Sequence, residues 1–338
     1  LLIRAEGADL APSLPLARAL CQMVPEYAPY HHLLGHYEWR SGEHQAATLS
    51  FGRAATLFEN WMIASKATVA DCPEWVKAEV YRVVALASKG EFETALAAAK
   101  QLAAKPLAAD RALAAGTRMM LWEAQTLPAR LLMRRAKPGD AALALAALPK
   151  PDALQAFRGH CMAYWWIDAL RIALETQRLV EADKPAEAKQ ALAALAFHGD
   201  KMAKAQDAAN LHGERSAWSR AFKALELLAC DLRGRMALRG PKELRGTAYN
   251  WFRSGADRQR PASMLYPPVL LTLELVKLGE FYLLEEKPEE AVDSFTEALK
   301  SYPNDSDALQ GLERAHAAAN QPTQAAEVAE KIKQLAAP

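Results

Sequence analysis

The sequence predicts an all-α protein built from repeated helical hairpins, and three observations carry that expectation. Alanine is abundant and runs in blocks such as Ala97–Ala99 and Ala317–Ala319. It is the best intrinsic helix former and lets helices approach closely. The strict apolar/polar alternation of a half-buried strand is almost absent. Glycine, alanine and phenylalanine recur at matching spacings in two distant windows, 28–61 and 272–305. A period of that length marks stacked two-helix units, each too small to bury its own apolar face.

Composition sets the outer bounds. The chain has 338 residues, 51% of them hydrophobic, enough for one long solenoid or two compact domains. The formal net charge is +1, so no global field favours nucleic acid or an anionic membrane. No apolar stretch reaches the roughly 18 residues a membrane span needs. Cys21, Cys72, Cys161 and Cys230 are far apart and form no CxxC, the pattern of buried free thiols. The sequence begins at Leu1 with no charged and apolar leader pattern, and the missing initiating methionine leans the expectation toward an exported protein.

The elements follow in chain order. In window 28–61, Leu34 and Gly35 stand at repeat positions 7 and 8, Ala47 at 20, Phe51 at 24 and Ala54 at 27. Gly42 falls between the two helices, where a helix-ending glycine is favoured. A weaker unit over 76–105 repeats the five-residue step from glycine to alanine with Gly90 and Ala95. Pro128, Pro138, Pro149 and Pro151 break residues 124–153 into short pieces, a candidate seam. A long helical pattern over 153–180, the second helix at 183–195 and a pair at 214–238 and 241–256 follow. Window 272–305 places Leu278, Gly279, Tyr282, Ala291, Phe295, Ala298 and Pro303 at positions 7, 8, 11, 20, 24, 27 and 32. Window 306–337 keeps Leu309, Leu312 and Ala325 but has Glu313 at position 8, the irregularity expected of a terminal unit. The sum is a single solenoid over 1–338 of about six or seven hairpins with an irregular centre.

These positions resemble the tetratricopeptide-repeat superfamily. More narrowly, the chain is similar to bacterial repeat proteins with an N-terminal H-x-x-x-H followed by glycine and alanine. His32, His36, Gly42 and Ala47 match that spacing, while Leu33-Leu34-Gly35 and Phe51 depart from the group's usual residues. A C-terminal Y-x-P, P-N and L-x-G-L pattern is matched by Tyr266, Pro268, Pro303, Asn304, Leu309, Gly311 and Leu312. The resemblance implies a right-handed α-α superhelix that binds proteins or peptides, and brings no assigned activity.

In repeats of this kind, first-helix positions 2, 5, 9 and 12 face the concave groove. In the first repeat these are Pro29, His32, His36 and Trp39. Three readings of this stripe stand side by side: internal packing, a peptide-binding surface with an aromatic anchor, and a metal site. Histidines four apart on one helical face form a chelating pair, which Glu38, His44 or a distant residue would have to complete. Asp307, Gln310 and Arg314 hold positions 2, 5 and 9 of the last repeat and are further partner-binding candidates. The corresponding Leu273, Val276 and Glu280 are largely apolar, the pattern of a covered face.

A basic run contains Arg233, Arg235, Arg245, Arg253 and Arg260, with Tyr249, Trp251 and Phe252 among them. It reads as a solvated helix face or as a patch for an anionic partner segment. Phosphate-cradling, dinucleotide, zinc-protease and nucleophile-elbow motifs are all absent. His160 and Cys161 are adjacent, and neighbours on a helix point about 100° apart, so adjacency makes no catalytic pair. The expectation is a non-catalytic scaffold with no cofactor and a protein or peptide ligand. The alternative is a metal-binding or metal-dependent protein built around His32 and His36.

Overall fold

The computed structural model describes residues 10–157, 161–208, 215–259, 263 and 266–336. His160, Arg260 and the leader question at Leu1 lie outside the described residues. Among the described residues the regular structure is helical throughout, with no strand.

The helices in order are α1 (Leu14–Met23), α2 (Ala28–Arg40), α3 (His44–Ser65), α4 (Pro73–Lys89) and α5 (Phe92–Ala103). After the irregular centre begin α6 (Ala115–Met119), α7 (Leu127–Arg135), α8 (Asp140–Ala147), α9 (Met162–Glu181) and α10 (Pro185–Ala208). Then come α11 (Arg215–Arg239), α12 (Gly246–Arg258), α13 (Glu274–Leu284), α14 (Pro288–Ser301), α15 (Ser306–Ala318) and α16 (Pro322–Ala336).

The chain packs as two compact units. The first gathers residues 1–102, 261–268 and 275–338; the second holds 103–260 and 269–274. Residues 124–153, expected as a seam, fall wholly inside the second unit.

In the first unit the glycines and phenylalanines at the repeat positions pack against each other inside their hairpins. A Cβ on Gly35 would stand 2.8 Å from the Phe51 ring, and one on Gly279 would stand 2.6 Å from the Phe295 ring. Each glycine at position 8 therefore makes room for the phenylalanine at position 24 of its own hairpin. Ala47, Phe51, Ala54, Ala291, Phe295 and Ala298 are all fully buried. Helix α2 packs on α3 and α3 on α4; likewise α14 packs on α15 and α15 on α16. Gly42 (φ +80°) and Gly90 (φ +96°) end α2 and α4 in the left-handed region, where only glycine turns without Cβ strain. Asp305 caps α15 by accepting from the N–H groups of Asp307 and Ala308.

The first and last repeats meet within this unit. Helix α4 contacts α15. The Asn304 side-chain amide donates to the Gly42 carbonyl at 3.2 Å. Residues from the two ends of the chain thus form one packed body.

In the second unit, α9 packs on α10 and α11 on α12. Its irregular centre is a π-helical turn over Met120–Ala124. That turn buries Glu123, whose carboxylate sits 3.1 Å from Arg130 Nη1 and 3.0 Å from Arg220 Nη2. Arg130 is 1% exposed and also donates to the Glu123 and Val269 carbonyls. A π turn leaves carbonyls misaligned with the helical ladder, and the buried guanidinium satisfies the one at Glu123. Arg220 covers the Trp122 ring at 4.5 Å.

Candidate functional site

The site is built on α2, α3 and α4 of the first unit. Pro29 starts α2 near its first turn, where the missing N–H costs nothing. The 3.6-residue period then places His32 and His36 on one face, one turn apart. Their Nε2 atoms lie 3.1 Å apart and their rings meet edge to face at 4.7 Å. Phe51 of α3 stands 5.2 Å from the His36 ring and 5.4 Å from the His32 ring. Tyr81 of α4 closes the box, 4.2 Å from His36 and stacked on Phe51 at 5.2 Å. Trp39 lies 5.7 Å from Tyr81, and its indole N–H donates to Ser88 Oγ at 3.1 Å.

Of the three readings of this stripe, the geometry is that of internal packing. His36 is 0% exposed and Trp39 4% exposed. The positions do point inward, but α4 packs over them with Tyr81 and Ser88. Aromatic edge-to-face packing of this kind holds large side chains in the interior.

The imidazole pair shares one proton between its Nε2 atoms, so one ring donates and the other accepts. Both Nδ1 atoms are buried without a hydrogen-bond partner. Burial, then the nearby Lys77 charge, pushes His32 down to about 3. His36 is held well below the ordinary histidine range by burial, then by His32, Arg40 and Lys77. Both rings are therefore neutral near pH 7.

Among the described residues no group of three His, Cys, Asp or Glu side chains is arranged to hold an ion. Glu38, one proposed third ligand, instead accepts from Ser50 Oγ at 2.6 Å. His44, the other, lines a separate cavity.

What covers the box is non-helical chain. The Tyr81 hydroxyl donates to the Ser263 backbone carbonyl. The Lys77 ammonium sits over the Tyr266 ring, 5.4 Å from its centroid, within cation–π range. Pro267 is buried and Pro268 half-buried beside it. Lys77 and Tyr81, one turn apart on α4, were not singled out in the sequence. A lysine and a tyrosine on an apolar helix carry no motif.

The other candidates divide. On α15, Gln310 and Arg314 are exposed and Asp307 is half-buried. Arg314 is engaged by Glu280, position 9 of the preceding repeat, with Nη1 3.0 Å from Oε2. The pair is solvent-exposed and contributes little to stability. In the second unit, Arg235 pairs with Asp231 at 2.9 Å and Arg253 with Asp257 at 2.8 Å. Arg233 stacks on Trp251 at 4.9 Å, and Arg245 is exposed. The basic patch is thus half neutralised by its own helices.

A cavity of about 440 Å³ also lies in the first unit, lined by Gln45, Leu49, Lys89, Asn304, Leu309 and Ile332 among others. Lys89 is tied there to Gln45 at 2.8 Å and to Glu91 at 2.7 Å. No sequence motif marks this space, because it forms only where the first and last repeats meet.

The fold and this site together define an all-α protein of packed helical hairpins, two of them closed by a glycine–phenylalanine contact. No protein-family model and no curated protein matches the chain. Among solved structures, the crystal structure of the P58(IPK) TPR domain is similar at 15% identity and a TM-score of 0.25, covering 92% of this chain and 94% of that one.

Proposed function

We propose that the chain is a non-catalytic scaffold that binds an extended polypeptide segment on the face formed by Lys77 and Tyr81 of α4. One observation carries this reading: that face already engages a non-helical segment, through the Tyr81 hydroxyl on the Ser263 main-chain carbonyl and the Lys77 ammonium on the Tyr266 ring. A hydroxyl aimed at a backbone carbonyl and a cation aimed at an aromatic ring recognise a polypeptide without reacting with it. His32, His36 and Trp39 act behind this face as the packed support of Tyr81. Asp307, Gln310 and Arg314 would extend the surface on α15, with Arg314 released from Glu280 when an acidic group replaces it.

The arginine patch of the second unit is a separate candidate for an acidic segment, through Arg233 and Arg245. Among the described residues no helix is long and apolar enough to cross a membrane. The test of the main reading is selection of binders from a random peptide library on the full chain. Binding that is lost in Tyr81→Phe and Lys77→Gln supports it. Binders indifferent to both substitutions, or no binders at all, sink it.

A further inference from the structure

The residues that cover the face belong to the chain itself, and their path is telling. Gln259 and Val269 lie in the second unit, whereas Ser263 and Tyr266–Pro268 pack in the first. These residues engage the first unit through specific groups: a main-chain carbonyl, an aromatic ring and a buried proline. Consecutive prolines fix φ near the extended range and remove N–H donors. Pro267 and Pro268 therefore lose little backbone entropy on docking and offer only carbonyls and side chains. Those are the groups that Tyr81 and Lys77 recognise.

We propose that Ser263 and Tyr266–Pro268 are the resident occupant of the peptide-binding face, and that its external ligands are extended segments in which an aromatic residue precedes proline. This rests on the peptide-binding reading above. The resident segment and an external one compete for the same two groups. The apparent affinity for the external peptide is then its intrinsic affinity reduced by the fraction of molecules whose face is vacant.

The probe is a fluorescein-labelled synthetic peptide of sequence PASMLYPPVL, residues 261–270, titrated by anisotropy against the full chain. Tyr266→Ala removes the ring under Lys77 and should bind the probe about tenfold more tightly than wild type, as the vacant fraction rises. Adding Tyr81→Phe to Tyr266→Ala should abolish that gain. Tyr266→Leu keeps apolar bulk without the ring face and serves in its place if circular dichroism shows that the alanine variant is unfolded. Equal affinity in wild type and variant overturns the resident-occupant inference and leaves the peptide face standing. Failure to bind either, while library peptides still bind in a Tyr81-dependent way, also overturns the inference alone. Failure of both the probe and the library removes the peptide face and the inference with it.

Discussion

Acidification should weaken the first unit through the buried histidine pair, and the size of the effect follows from the geometry. His32 is neutral in the folded protein and pushed down to about 3 from an ordinary value of 6.5, first by burial and then by Lys77. A histidine with a depressed pKa contributes stability that is fully present above about pH 6.5 and is lost progressively as pH falls toward the folded value. The unfolded chain binds the proton that the folded chain refuses. Between pH 7 and pH 5 the loss is about 1.4 units for His32, or about 2 kcal/mol at 1.36 kcal/mol per unit. His36 faces the same burial, the same Lys77 and also Arg40, so its contribution has the same sign. Groups around the pair are Arg40 on α2, Phe51 on α3, Lys77 and Tyr81 on α4, and Ser263. None of these is a carboxylate that would welcome the imidazolium. The assay is urea unfolding at pH 7 and pH 5 for wild type and for a His32→Gln/His36→Gln variant. The wild type should lose at least about 2 kcal/mol more than the variant over that interval. Equal losses would refute the reasoning, because the pH dependence would then belong to other groups.

Two further substitutions probe the fold that holds the site. Arg130→Ala strands the Glu123 carboxylate in the core and frees two carbonyls, and should cost about 3–5 kcal/mol in chemical denaturation. Pairing it with Glu123→Gln should recover part of that loss, and an additive double variant would argue against a direct pair. Gly35→Ala drives a methyl to 2.8 Å from the Phe51 ring and should cost about 1–3 kcal/mol by overpacking. Phe51→Leu should relieve it, and a Gly35→Ala melting curve identical to wild type would contradict the position 8 to position 24 contact.

Much of the fold was legible because packing constraints write themselves into sequence at fixed intervals. Gly35 with Phe51, and Gly279 with Phe295, sit where the hairpins need a small and a large residue in contact. The histidine stripe was legible as a shared face for the same reason. Its exposure was not, since α2 alone does not say whether α4 will set Tyr81 against it. Lys77 and Tyr81 were invisible because their significance comes from Ser263 and Tyr266, more than 180 residues away. The Glu123–Arg130–Arg220 cluster escaped for a related reason. Charged residues are ordinarily solvated, and nothing local to Arg130 announces that a π turn will set a carbonyl and a carboxylate beside it and that distant Val269 will add a second carbonyl.

The central claim is that the Lys77–Tyr81 face engages an extended segment of the kind at 263–268. Photo-crosslinking tests it most directly, using the peptide PASMLYPPVL with benzoylphenylalanine in place of its tyrosine and the Tyr266→Ala chain. The account predicts adducts confined to α2 and α4 around His32, His36, Lys77 and Tyr81, suppressed by an excess of unlabelled peptide. Adducts spread over other helices, or insensitive to competitor, would contradict it.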